Sequence, residues 1–327
     1  MTGSGDTIGK VSVIVPNLNC PILDQALDSL YGQSLEPGVG MEIIVVGQDE
    51  PGCLKRFPHV IDIHTPSPVG PGTARNIGIR RAEGELIACM DADCVAEPDW
   101  LTEMISAHRT WPQQAVVGGS IRIEADNFWA MTDNLASFHA YMPHRPDATY
   151  PVLPTCNVSM RRSAFEQVGL FSETLLFDED ADWMMRARRK GFALHFHPPA
   201  QVWHRSQRQT FTAVMAHARV WGSYSIITRH RYPDLQPLPL VLRRWWSLTL
   251  VSPLVAAAVT ARICARSCRT WRHVKALPAI VLAKMAWCWG AAQRLRQGDD
   301  TERTEAPGLT LEEEQTDDVE TDQACAN

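Results

Sequence analysis

The sequence predicts an α/β fold with a Rossmann-like, mostly parallel, doubly wound sheet. Short apolar segments at 10–16, 41–46, 60–64 and 86–90 alternate with helical stretches through the first hundred residues. That alternation implies parallel strands joined by right-handed crossovers. The run Leu86-Ile-Ala-Cys-Met90 holds no charge, as expected of a strand covered on both faces. It ends abruptly in Asp91 and Asp93, where open α/β sheets place their ligands.

In chain order, residues 1–9 are polar and Gly-rich and are expected to be disordered, and residues 10–16 form a strand closed by Pro16. Ile22, Leu23, Ala26, Leu27 and Leu30 give the next segment a helical stripe. Gly70 and Pro71 open a helix over 70–81. After Asp93 the pattern becomes mixed α+β. Helices are expected at 100–111, 128–141, 162–168 and 182–190, the last stopped by Gly191. Strands are expected at 115–123, with a break at Gly118-Gly119, and at 155–160. Pro198-Pro199 suggests a strand pair or hairpin over 192–204.

Charge is segregated. Residues 243–296 carry ten Lys/Arg and no acid, and residues 299–327 carry eleven acids against Arg303. The acidic tail has too few apolar residues to fold. Apolar runs at 245–261 and 274–292 are at or below spanning length, and Lys284 inside the second would be costly in lipid. Their basic flanks and tryptophans suit helices lying on, or re-entering, an anionic membrane surface. A spanning hairpin and a soluble helical pair are the alternatives. The positive-inside rule puts every basic flank, and with them the catalytic part, on the cytoplasmic face. The nine cysteines show no Cys-x-x-Cys, and the polar N-terminus lacks a leader's apolar core, so reduced thiols are expected.

Asp91 and Asp93, two residues apart on an extended segment, point the same way. They either share one hard cation or divide a cation and a sugar hydroxyl between them; a helix N-cap is the plainer reading. Phe177-Asp-Glu-Asp-Ala-Asp-Trp183 crowds four acids, which raises at least one pKa and suits a general base. A charged helix start is the plainer reading there. His195 and His197 alternate on one strand and mimic a metal-binding pair.

Taken in order, Val11-Ser-Val-Ile-Val-Pro-Asn17, Gly72-Thr-Ala-Arg-Asn-Ile-Gly78, Asp91-Ala-Asp93, the acidic stretch ending at Trp183, and Pro199-Ala-Gln-Val-Trp-His204 closely resemble glycosyltransferase family 2. The resemblance spans roughly residues 10–230. It implies a GT-A fold and inverting sugar transfer from a UDP-, GDP- or dTDP-sugar, with Mn2+ or Mg2+ as cofactor. It assigns Asp93 and His204 to the metal, and Pro16, Asn17, Asp49, Arg75, Asn76 and Asp91 to the donor. Asp180 becomes the base, with Glu179, Asp182 and Trp183 supporting it or meeting the acceptor. The family usually has an acid directly after the second strand; here Gly47-Gln48-Asp49 stands instead, so either Asp49 or Gln48 takes that part. The GT-A domain is expected over 10–235, a nucleotide half to 110 and an acceptor half from 111, followed by a membrane-associating helical extension over 236–298. A glycan or lipid-linked acceptor and no nucleic-acid partner are expected. A nucleotidyltransferase would need a Gly-rich phosphate loop after the first strand, which residues 17–21 lack. A non-catalytic sugar-binding scaffold of the same fold is the other alternative.

Overall fold

The computed structural model describes residues 8–298; residues 1–7 and the acidic segment 299–327 lie outside the described residues. Of the expected disordered start, Ile8 is buried and the Gly9 N–H donates to Glu85 Oε2.

In chain order the elements are β1 (Lys10–Leu18), α1 (Leu23–Tyr31), β2 (Gly40–Gln48), β3 (Ile61–His64), α2 (Pro71–Arg81), β4 (Leu86–Met90), β5 (Cys94–Ala96), α3 (Trp100–Thr110), β6 (Val116–Arg122), α4 (Phe128–Phe138), β7 (Ala148–Thr149), β8 (Asn157–Arg161), α5 (Arg162–Val168), α6 (Glu179–Arg189), β9 (Leu194–His204), α7 (Phe211–Arg231), α8 (Trp245–Ser267) and α9 (Trp271–Gln297). They form two compact units. One runs to Arg122 and resumes over Tyr141–Glu173 and Glu179–Arg205; the other holds Ile123–Ala140, Thr174–Asp178 and the chain from Ser206. The division thus interleaves along the chain.

The first unit is built on one sheet ordered β3-β2-β1-β4-β8-β6-β9-β5, with β7 also on β9. The first four strands are parallel, as the α/β alternation predicts. β8 runs antiparallel to both β4 and β6, which makes the second half mixed. All five residues of β4 are buried, since it lies inside the sheet between β1 and β8.

Several local expectations shift. β1 continues past Pro16 to Leu18, because its pairing with β2 extends beyond the reach of β4. The expected hairpin over 192–204 is a single strand, β9, parallel to β6 throughout. Pro198, Pro199 and Ala200 are accommodated where the register jumps from Gly119↔His197 to Ser120↔Gln201. A side chain on Gly119 would collide with the Ala200 carbonyl, so the Gly-Gly pair marks this irregularity and does not break β6. α6 begins at Glu179, three residues before the expected start, with Glu179, Asp180 and Asp182 in its first turn, where the helix dipole favours acids.

The second unit is helical. Gly222 of α7 and Gly290 of α9 let the two backbones approach: a Cβ on either would fall within about 2 Å of the partner helix's carbonyl oxygen at Trp287 or Arg219. The two apolar runs lie in α8 and α9, both long and apolar enough to cross a membrane. Lys284, the awkward charge in the second run, faces protein: its Nζ donates to the Ala136 carbonyl and sits 5.1 Å from the Trp221 ring centroid. α8 leaves Trp246, Leu250 and Leu254 exposed at four-residue spacing, one outward apolar stripe.

Candidate active site

Arg75, on the first turns of α2, organises one half of the site. It is 3% exposed, and its guanidinium spans two carboxylates. Nη2 donates to Asp91 Oδ1 at 2.8 Å and Nη1 to Glu179 Oε1 at 2.5 Å. Asp91 arrives from the end of β4 and Glu179 from the start of α6, so one planar fork ties the parallel half of the sheet to the acidic helix. Burial opposes the arginine's charge, but Asp91 and Glu179 raise its pKa and hold it protonated. Burial, then the adjacent Asp180 charge, pushes Glu179 up to about 8, while Arg75 works the other way. Asp180 is half-buried and also raised, by burial first, with Arg75 and the Ala181 N–H opposing. The Ala181 N–H donates to Asp180 Oδ1 at 2.7 Å. Glu179 and Asp180 are thus both pushed upward and titrate as a pair.

The other half is formed by Asp93 and His204. β5 pairs antiparallel with β9 so that Cys94 opposes His204. The Arg205 N–H donates to the Asp93 carbonyl at 2.8 Å and pins the turn between β4 and β5 to the end of β9. His204 Nε2 lies 3.6 Å from Asp93 Oδ2, and His204 is buried. Ligands about 2.1 Å from a shared divalent ion stand roughly 3.0–3.4 Å apart, so this pair fits one cation after a small adjustment. Cys94 Sγ also lies within 4.8 Å of both donor atoms. Burial, then a hydrogen bond with Cys156, holds the Cys94 thiol well above its usual pKa, which favours the nitrogen and oxygen donors over sulfur. The halves are neighbours: Cys156, itself buried, feels Asp91, Asp93 and Asp180 alike.

The remaining predicted residues make the following contacts. Pro16 pairs with Val46 in the parallel ladder. Asn17 donates from Nδ2 to the Gln48 carbonyl and accepts the Cys20 N–H, joining the ends of β1 and β2. Gly47, where the usual acid would stand, has φ 136°, and a Cβ there would lie 1.8 Å from the Asn17 carbonyl oxygen. No acid fits that position. The Asp49 carboxylate accepts the N–H groups of Cys53 and Leu54, capping the short helical turn over Cys53–Arg56. Asn76 donates to the Phe171 carbonyl and to Glu173 and accepts the Phe171 N–H. Asp182 pairs with Arg186 at 2.9 Å, and Arg186 donates to the Val168 and Leu170 carbonyls. Trp183 is fully buried against Phe165 and Phe171, and its Nε1 donates to the Gly169 carbonyl. Arg75 was legible as a donor-side residue, but its bridge to Glu179 joins positions 104 apart in sequence, beyond any local signal. Cys94 was passed over because a lone cysteine beside acids carries no spacing pattern.

A profile for glycosyl transferase family 2 matches residues 12–169, which run from within β1 through β8 and α5 and include both aspartates of the Asp-x-Asp. The chain carries a glycosyltransferase family 2 domain. The chain is 28% identical over 317 residues to the pre-mycofactocin glycosyltransferase of Mycobacterium tuberculosis, covering 89% of this chain and 64% of that protein. It is 26% identical over 199 residues to glycosyltransferase AglE of Haloferax volcanii, covering 58% and 65%. The chain thus spans a little under two thirds of either relative's length. Among solved structures, the mannosyltransferase PcManGT from Pyrobaculum calidifontis, in complex with GDP-Man and Mn2+, superposes with a TM-score of 0.59 over 88% of each chain at 16% identity. That likeness gives the GT-A fold.

Proposed function

We propose that this family 2 chain transfers a sugar from a nucleotide-sugar donor, a UDP-, GDP- or dTDP-sugar, to an acceptor hydroxyl with inversion at the anomeric carbon. The observation that carries this reading is the Asp91–Arg75–Glu179 bridge, which sets Asp180 at the same sheet edge as the Asp93–His204 pair. Asp93 and His204 would hold Mn2+ or Mg2+; bound there, the ion would offset charge developing on the leaving diphosphate.

The chain's own residues account for the rest. Arg75 fixes the Asp91 carboxylate in one orientation, leaving its second oxygen for a ribose or sugar hydroxyl. Asp180 takes the acceptor proton as the acceptor oxygen bonds to the anomeric carbon and the bond to the diphosphate oxygen breaks. A raised pKa makes Asp180 a stronger base than an exposed aspartate. Glu179, held by Arg75, keeps the start of α6 in place. The names of the relatives and the Mn2+ and GDP-Man in the solved mannosyltransferase support a metal-assisted transfer.

The apolar outer stripe of α8 and the basic flanks of both long helices support contact with the cytoplasmic membrane face, and with it a lipid-linked or glycan-precursor acceptor. Transfer from a panel of nucleotide sugars, with Mn2+ or Mg2+, tests the reading. Asp93→Ala and Asp180→Ala should each lower the rate by about 100-fold or more. Full transfer by both variants would defeat the assignment.

A further inference from the structure

Away from the site just described, the first half of β9 carries a second convergence of ligand-type side chains. His195 and His197 alternate on the strand, and β7 lies antiparallel alongside, with Thr149 opposite His195 and Ala148 opposite Phe196. This pairing brings Asp147 over both rings. Asp147 Oδ1 lies 2.8 Å from His195 Nε2, and Oδ2 lies 3.0 Å from His197 Nδ1. One carboxylate therefore faces a nitrogen of each imidazole, and the three ligand atoms fall within 4.8 Å of one another.

Two details distinguish this from a surface ion-pair cluster. His195 is 7% exposed, and its Nε2 lies 2.8 Å from Asp147 Oδ1, away from ideal hydrogen-bond geometry. A buried imidazole nitrogen and a carboxylate oxygen set side by side in this way are placed as two ligands of one ion are. The second detail is the far side of His197, where Nε2 lies 3.1 Å from Glu103 Oε2 on α3. A histidine that ligates a metal through one nitrogen commonly donates its other N–H to a carboxylate, which fixes tautomer and orientation. With Nε2 facing Glu103, His197 Nδ1 is the nitrogen left for a cation shared with Asp147. Trp111 closes one side, its ring centroid 4.0 Å from that of His195, while Asp147 keeps the other open to solvent.

We infer that His195 Nε2, His197 Nδ1 and Asp147 form a divalent transition-metal site, best suited to Zn2+, with Glu103 orienting His197. Two imidazoles and a carboxylate favour zinc over magnesium, and three protein ligands leave a coordination position for water. The site is separate from Asp93 and His204: eight residues of β9 lie between His195 and His204, at most roughly 30 Å along a strand. Bound zinc would clip the segment before β7 and helix α3 to the sheet. The inference does not rest on the glycosyltransferase reading.

The test is zinc retained per full-length chain after loading and gel filtration in metal-free buffer, with Co2+ substitution read by its visible d–d absorption. Wild type and Asp93→Asn should each retain one equivalent in the second site and show the Co2+ band. Asp147→Asn should lose both signals, with circular dichroism verifying the fold. Glu103→Gln should weaken zinc binding about 10- to 100-fold without removing a ligand, and serves as the second variant should Asp147→Asn not fold. Equal zinc retention and unchanged spectra in Asp147→Asn or Glu103→Gln would overturn the site, as would a wild-type chain that takes up no zinc at micromolar free metal.

Discussion

Arg75 of α2 and Glu179 of α6 meet at 2.5 Å although 104 residues separate them in sequence. The same guanidinium reaches Asp91 at 2.8 Å, so the arginine serves at once as a brace and as the positive centre of an acidic site. Arg75→Met should therefore lower both stability and transfer. Breaking a fully buried ion pair costs about 3–5 kcal/mol. Here roughly 2–3 kcal/mol is expected, because Asp91 is a third exposed and Glu179 can take up a proton instead of remaining a lone charge. Arg75→Lys keeps the charge but cannot span two carboxylates, so it should recover less than half of the loss. Denaturant melts of the three proteins decide this; a Lys variant as stable as wild type would refute the bridging role.

The Glu179–Asp180 pair predicts a pH dependence. Burial and the Asp180 charge raise Glu179 from 4.5 to about 8. Its folded-state pKa lies above the unfolded one, so the fold binds this proton more tightly than the unfolded chain does. The resulting stabilisation is complete below about pH 4.5 and fades as pH rises toward 8. Glu179→Gln cannot lose a proton, and its melting temperature should fall less between pH 5 and 8.5 than that of wild type. Parallel melting curves for the two proteins would show that Glu179 titrates normally. In transfer assays, the acidic limb of the kcat/KM profile should lie above the range of an exposed aspartate, since Asp180 is raised as well.

The second strand's missing acid yields a separate expectation. Because Asp49 accepts two backbone N–H groups, Asp49→Ala should cost about 1 kcal/mol, as loss of a helix cap does, and leave donor KM unchanged. Gly47→Asp, which restores the usual acid, should fail for steric reasons: φ of 136° is glycine's territory and the new Cβ would overlap the Asn17 carbonyl. A loss of at least about 2–3 kcal/mol is expected. A tenfold rise in donor KM for a folded Asp49→Ala would return Asp49 to the donor site.

How much of this was legible in sequence follows from which interactions are local. The parallel strands β1 to β4 were readable because buried strands must be continuously apolar, and Asp91 and Asp93 stood out where such a run stops. Pro198-Pro199 reads locally as a turn, yet Gly119 on the neighbouring strand provides the space to keep β9 intact. Trp183 was grouped with the acids that support the base or meet the acceptor. Its place in α6, on the same face as the buried Ala187, puts it in the core instead. Asn76 resembled a pocket residue, but its amide is consumed by Phe171 and Glu173, partners almost a hundred residues away. His195 and His197 showed the alternation of a ligand pair, while Asp147 and Glu103 are supplied only by the folded sheet.

The last expectation concerns α8. A helix that packs wholly within protein buries its apolar side, whereas only 22% of the most apolar stretch of α8 is buried. Trp246, Leu250 and Leu254 share one outward stripe, and Arg243 and Arg244 precede it. Such an arrangement favours an interfacial helix whose basic start meets anionic headgroups. Leu250→Glu with Leu254→Glu should sharply reduce co-flotation with vesicles containing anionic lipid while leaving the melting temperature within about 1 °C, because surface substitutions that break no contact cost little. Binding should also weaken on neutral vesicles and in high salt. If the double variant still floats and only detergent extracts it, α8 spans the bilayer and Lys284, held by the Ala136 carbonyl, is carried inside it.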